Sequence, residues 1–254
     1  MCFRLIKCIN KNKLVILYYH RITKPGEEVR NENKNMCTQY AVFEKQMEFL
    51  KENYHLVDER EIISAIEKKR SLSKYPVWIT FDDGYKDNYI NAYPVLKRLN
   101  IPATFYITTG FVSRPDAGSG NADSLFMSWD EIQDLKRNGF SIGAHTVTHR
   151  ILSTINVDEC EKEIEESKKE IEERTRDKVY SFAYPHGKEA DIDIDKHPRI
   201  LDKCGFKLAV TTLGGVNSGD LEHRRFALKR MGNSFEDNIN IFKFKVATGC
   251  PWQK

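Results

Sequence analysis

Pro76-Val77-Trp78-Ile79-Thr80-Phe81-Asp82-Asp83-Gly84 is an apolar run, rich in β-branched and aromatic residues, that ends abruptly on two carboxylates and a glycine. Such a run reads as a strand buried on both faces, the usual state of a parallel sheet. Two adjacent carboxylates at its end are costly unless something positive meets them. Consecutive residues point in different directions, so one Asp can hold a cation while its neighbour faces a substrate. Gly84 lets the backbone turn there. Taken alone, the segment reads equally well as an Asp-Asp-Gly turn capping the next helix.

Outward from this strand the pattern repeats. Leu14 to Tyr19 is a second buried strand, ending at His20-Arg21, and residues 21–41 are polar and read as a loop. Helices are expected from near Ala41 and over Asp58 to Lys69. After a helix carrying Tyr89, Tyr93, Val95 and Leu96 come a strand, Ala103 to Ile107, and a Gly/Ser/Asp-rich loop over 110–124. Ser128 with Glu131 forms a capping-box pattern opening a helix at Trp129 to Arg137. Phe140 to Ala144, Val179 to Tyr184, Leu208 to Thr212 and Phe226 to Met231 are further strand candidates. Asp158 to Arg176, Ile200 to Cys204 and Phe235 to Val246 are helical. This alternation, with no low-complexity linker, predicts an α/β fold around a parallel sheet, open or closed into a barrel. The chemistry-bearing residues sit at strand ends, where such folds form their ligand crevice.

Two more strand ends matter. His145-Thr146-Val147-Thr148-His149 places two imidazoles four residues apart, on one side if the segment makes a helical turn. Together with one Asp they make three protein ligands and leave a position for water, the plan of a catalytic metal site. Phe182-Ala183-Tyr184-Pro185-His186-Gly187 ends in a sharp turn whose backbone N–H groups could serve an oxyanion.

Lys plus Arg total 40 and Asp plus Glu 37, a net +3, which argues against a nucleic-acid protein driven by a basic field. The six cysteines include no C-x-x-C pair, so a Cys-rich zinc site is not expected and reduced thiols are. No stretch is long and apolar enough for a membrane span and none near the start reads as a signal peptide, so the expected location is cytoplasmic.

The three segments, in this order, resemble the polysaccharide deacetylase family, the NodB-homology enzymes of carbohydrate esterase family 4. Thr80 to Gly84 repeats its T-F-D-D-G motif and His145 to His149 its H-[S/T]-x-x-H motif. The resemblance runs from about Leu14 to about Val246 and implies a single NodB-homology domain over residues 1–254 with a distorted (β/α)7 barrel fold. It implies that Asp83, His145 and His149 are metal ligands, for zinc with cobalt or nickel as substitutes. It implies that Asp82 is the general base, and that the N–H of His186 is an oxyanion donor. Tyr184 joins His186 as an oxyanion or substrate residue, and Tyr85, Trp129 and Trp252 are further candidates to stack on sugar. The arginine that holds the catalytic Asp in the family's third motif is replaced by Ala183, and its late L-x-x-H motif is not evident. The general acid therefore falls to His20, as in the poly-N-acetylglucosamine deacetylase branch, with His186 and His223 as alternatives. The expected reaction is metal-dependent removal of acetyl groups from N-acetylated sugars. O-acetyl ester hydrolysis and a catalytically weak carbohydrate-binding relic are the competing expectations.

Overall fold

A strand that buries both faces must be covered on both, and here helices take one face and the strands' own curl takes the other. The computed structural model describes residues 10–26, 35–112, 125–233 and 238–250. Seven parallel strands lie side by side in the order β10-β1-β5-β6-β7-β8-β9. They are β1 (Val15–Tyr19), β5 (Pro76–Phe81), β6 (Thr104–Ile107), β7 (Ser141–Ala144), β8 (Ser181–Ala183), β9 (Leu208–Val210) and β10 (Met231–Gly232). An extra strand, β4 (His55–Val57), pairs with the start of β5. Between the strands run α1 (Tyr40–Asn53), α2 (Glu59–Glu67), α3 (Tyr93–Leu99), α4 (Trp129–Arg137), α5 (Val157–Thr175) and α6 (His197–Lys203); α7 (Ile239–Thr248) closes the chain. This is the distorted (β/α)7 barrel expected from the sequence.

The period-two alternation of the strands divides the core in two. Leu17, Tyr19, Ile79, Phe81, Phe105, Ile107 and Phe182 face the helices. Ile16, Trp78, Tyr106, Ala183, Val210 and Leu228 fill the barrel interior. Gly143 lies opposite Tyr106 on the neighbouring strand, where a Cβ would come within 2.4 Å of the tyrosine ring. The large ring is thus accommodated only because its partner lacks a side chain.

Three expectations need correcting. Residues 21–41 are not all loop: β2 (Arg21–Thr23) and β3 (Cys37–Gln39) pair in parallel, and Asp87 anchors them by accepting the Ile22 N–H and the Arg21 side chain. The strand expected over Phe226 to Met231 pairs regularly only from Met231. Its earlier part runs beside β9, where Ala209 donates to the Arg225 carbonyl, Leu228 to the Ala209 carbonyl and Thr211 to the Leu228 carbonyl, and forms only the isolated parallel bridge at Leu228 rather than a strand. The helix after Gly84 opens as a π-helical turn over Asn88–Ala92 before α3. Of the expected 110–124 loop, residues 113–124 lie outside the described residues, as do Cys2, Cys8 and Trp252. Cys37 and Cys160 are buried, Cys204 is partly buried and Cys250 is exposed. No helix among the described residues is long and apolar enough to cross a membrane.

At the end of the barrel where the strands begin, α2 starts with a buried acid. Glu59 is 2% exposed and accepts a hydrogen bond from the Ser181 hydroxyl at 2.5 Å. Burial pushes its carboxyl up from 4.5 to about 7, against the opposing pull of the Ser181 and Ser141 hydroxyls and Lys136. The folded state therefore holds this proton more tightly than the unfolded chain. Its contribution to stability is full below pH 4.5 and is lost as the pH rises through about 7. Glu59→Gln should be more stable than the parent at pH 8 by up to about 3 kcal/mol, with most of the difference gone at about pH 4.5. Urea unfolding at the two pH values measures this, and an equal gap at both would contradict it.

Candidate active site

β5 delivers both carboxylates. Along the strand Thr80 and Asp82 belong to the interior-facing set, so Asp82 (1% exposed) is aimed into the barrel mouth. There Arg230, just before β10, meets it with two parallel hydrogen bonds, Nη1 to Oδ1 and Nη2 to Oδ2, both 2.7 Å. The guanidinium is fully buried. It also donates to Thr80 Oγ1 at 3.1 Å and to the Thr211 carbonyl at 2.8 Å, and it lies over the Tyr18 ring at 4.7 Å. Burial opposes ionisation of Asp82, but Arg230, with His145 behind it, outweighs burial and holds the carboxyl below its ordinary range.

Arg230 was not identified from the sequence, although the absence of an arginine at Ala183 posed the question it answers. A signal was there. Phe226, Leu228 and Arg230 are alternate residues of an apolar segment, and a cation in such a register needs a buried anion.

Asp83 turns the other way because its backbone is left-handed (φ 72°), followed by Gly84 at 77°. Its Oδ1 lies 3.3 Å from His145 Nε2 and 3.2 Å from His149 Nε2. Oδ1 is buried, and among the described residues no hydrogen bond is directed at it. One ligand atom from each of the three residues fits within 4.8 Å. Ligand atoms about 2.0–2.1 Å from a tetrahedral zinc stand roughly 3.3 Å apart, so this spacing fits a metal. The His145 Nδ1–H donates to the Ala183 carbonyl at 2.7 Å, which leaves Nε2 with its lone pair toward the site. Burial would raise the Asp83 carboxyl, but the two imidazoles hold it well below its ordinary range. The 145–149 segment is not the helical turn expected from its spacing. It is an irregular bend with Thr146 and His149 left-handed, and it converges the rings all the same.

His20 follows β1 at the level of Asp82, whose N–H donates to the Tyr19 carbonyl at 2.9 Å. It is partly exposed. Burial lowers its pKa, opposed by the charges of Asp83 and Asp82. His186 is exposed and left-handed (φ 58°), its ring 5.2 Å from that of His149. Among the described residues nothing accepts its backbone N–H.

Tyr184 does not join the site. It is 1% exposed, its hydroxyl donates to the Phe226 carbonyl at 3.1 Å, and its N–H belongs to the sheet. One residue beyond β8, it still follows that strand's alternation and points with Phe182 toward the helices. Trp129 packs on the core under Arg174, away from the rim. Tyr85 remains near the site, stacked on Phe126 at 5.1 Å. His223 is exposed, and its backbone N–H donates locally to Asp220.

Removing Arg230 should act on Asp82 twice. Arg230→Met leaves a buried carboxylate unpaired, costing about 3–5 kcal/mol of stability, and lets burial raise its pKa. The acid limb of the pH–rate profile should then move to higher pH, while metal content stays. An unchanged limb in a folded variant would contradict the pairing.

A polysaccharide deacetylase family model matches residues 69–209, more than half of the chain. A poly-beta-1,6-N-acetyl-D-glucosamine N-deacetylase of Staphylococcus aureus is 30% identical over 215 residues, 78% of this chain and 71% of that protein. Among solved structures, the Streptococcus pyogenes deacetylase PplD in complex with acetate superposes with a TM-score of 0.76 at 26% identity. It covers 91% of this chain and 96% of its own. A polysaccharide deacetylase from Bacillus cereus gives 0.73 at 28%, covering 93% and 69%. With the barrel, both motifs and the converging Asp and His side chains in place, the chain belongs to the polysaccharide deacetylase family of hydrolases.

Proposed function

We propose that this hydrolase removes acetyl groups from the N-acetylglucosamine units of a polysaccharide, using zinc held by Asp83, His145 and His149. The observation that carries this reading is the convergence of those three ligand atoms beside an arginine-held Asp82. The likeness to an enzyme named for poly-N-acetylglucosamine supports the substrate class. A bound zinc, or cobalt or nickel in its place, would lower the pKa of a water and polarise the amide carbonyl.

The chain's own residues supply the rest. Asp82 is ionised and takes the proton of the attacking water. Both its oxygens are engaged by Arg230, but each keeps a further lone pair for that proton. The His186 N–H, without an acceptor among the described residues, donates to the carbonyl oxygen as it gains negative charge. His20, just past β1 and within reach of the Asp82 and Asp83 charges, protonates the departing nitrogen, so that the C–N bond breaks and acetate and a free amino sugar leave. Its lowered pKa makes the proton easier to give and limits its protonated form to lower pH.

Chelation should abolish acetate release from poly-N-acetylglucosamine oligomers, and zinc or cobalt should restore it. Release from O-acetylated xylan alone would favour the ester-hydrolysis reading. Asp83→Ala should lose metal and turnover together. Asp82→Asn should keep the metal and lower kcat by about 10²–10⁴-fold. Equal metal loss in both variants would overturn the division of roles. His20→Ala should keep metal and fold, lower kcat strongly and lose the basic limb of the pH–rate profile. Normal turnover in that variant would move the acid to another residue.

A further inference from the structure

The backbone between the two histidines follows a path that these residues do not take unaided. Thr146 (φ 64°) and His149 (φ 61°) are both left-handed, and neither is a glycine. Such conformations persist only where the surroundings over-determine them. Part of the restraint comes from the backbone just past β6 and from the turn itself. The Thr109 and Gly110 N–H groups donate to the carbonyls of Thr146 (3.2 Å) and Val147 (2.8 Å). Thr146 Oγ1 accepts the His149 N–H at 3.0 Å.

The Thr108 hydroxyl donates to the His145 carbonyl at 3.2 Å, and a further side chain, from a helix, grips the middle of the turn. Glu163, in the second turn of α5, accepts the N–H groups of Val147 and Thr148 on Oε2, each at 2.9 Å. Its Oε1 accepts the Thr148 hydroxyl at 2.6 Å. Two successive backbone N–H groups aimed at one oxygen make a small anion-binding concavity, and here the protein fills it with its own carboxylate. Hydrogen bonds to an ionised acceptor are the stronger kind.

The two histidines differ in what holds them. His145 has an outer partner, the Ala183 carbonyl on its Nδ1. Among the described residues the His149 ring has no such partner outside the cluster, only ring contacts with His145, Phe111 and His186. Its direction is therefore set by its backbone, and its backbone is set by the turn that Glu163 grips.

We propose that Glu163 is a positioning residue of the metal site, fixing the 146–149 turn so that His149 Nε2 faces Asp83 and His145. This rests on the metal reading of those three residues. The test uses the full chain, with zinc and cobalt affinity measured by competition against a chromophoric chelator and the visible spectrum of the cobalt form recorded. Glu163→Ala should weaken metal binding by about 10–100-fold and alter the cobalt bands. Glu163→Gln, whose neutral amide oxygen can still accept both N–H groups but more weakly than a carboxylate, should lose clearly less affinity than Glu163→Ala. Thr148→Val, which loses only the hydroxyl bond, should fall between them and carries the test if Glu163→Ala does not fold. Melting of the metal-free proteins reports folding separately. Parent-like affinity and spectrum in Glu163→Ala would overturn the proposal, and so would a loss in Glu163→Gln equal to that in Glu163→Ala. A parent that binds neither metal would overturn the metal reading itself, visible before any variant is made.

Discussion

The pairing of Arg230 with Asp82 is the constraint around which the mouth of the barrel is organised. A guanidinium with no exposed surface is tolerable only where its donors are met. Here they are met by groups from the two sides of the seam: Asp82 and Thr80 on β5, and the Thr211 carbonyl just past β9. The segment leading into β10 is tied to β9 by backbone hydrogen bonds around Leu228, and the Arg230 N–H donates to the Leu213 carbonyl, before it pairs with β1 from Met231. The ion pair adds a side-chain link from this segment to the end of β5, and the same contacts keep Asp82 ionised and fixed in direction. Closure of the fold and preparation of the base share one interaction.

The local patterns that reached the correct answer were those governed by neighbours in sequence. The capping box at Ser128 and Glu131 is present as read, and the helix it opens runs from Trp129 to Arg137. The buried strands β1 and β5 fall where apolar β-branched runs announced them. Of the site, Asp82, Asp83, His145 and His149 are legible because two motifs at strand ends occur together, each of which alone reads equally well as an ordinary turn. Arg230 was missed because its meaning depends on an aspartate 148 positions away in sequence. Tyr184 lies away from the site because the alternation of β8 carries one residue past its last ladder pair and turns that ring toward the helices, so that a strand end is here not an exposed one.

The short strands β2 and β3 illustrate a different limit. Arg21–Thr23 and Cys37–Gln39 have little apolar signal of their own and exist through tertiary contacts. Asp87 gathers the Ile22 N–H and the Arg21 side chain, while Asn91 donates to the Ile22 carbonyl. Such a ribbon is written in the residues that receive it, four elements further along the chain. The irregular 145–149 bend is similar: the four-residue spacing was read as a helix, whereas hydrogen bonds from elsewhere impose left-handed residues that reach the same convergence.

The solid interior of the barrel bears on how a long polymer could be handled. Trp78, Tyr106, Arg230 and Leu228 occupy the space between the strands, and Gly143 is small so that Tyr106 can fit. Threading through the middle is thereby closed off among the described residues, and material can reach Asp82 and the histidines only from the rim. A glycan would lie across this surface and present one pendant group downward, with no need to offer a chain end. Attack at interior units, followed by sideways release, is the mode of working that such a plugged barrel permits.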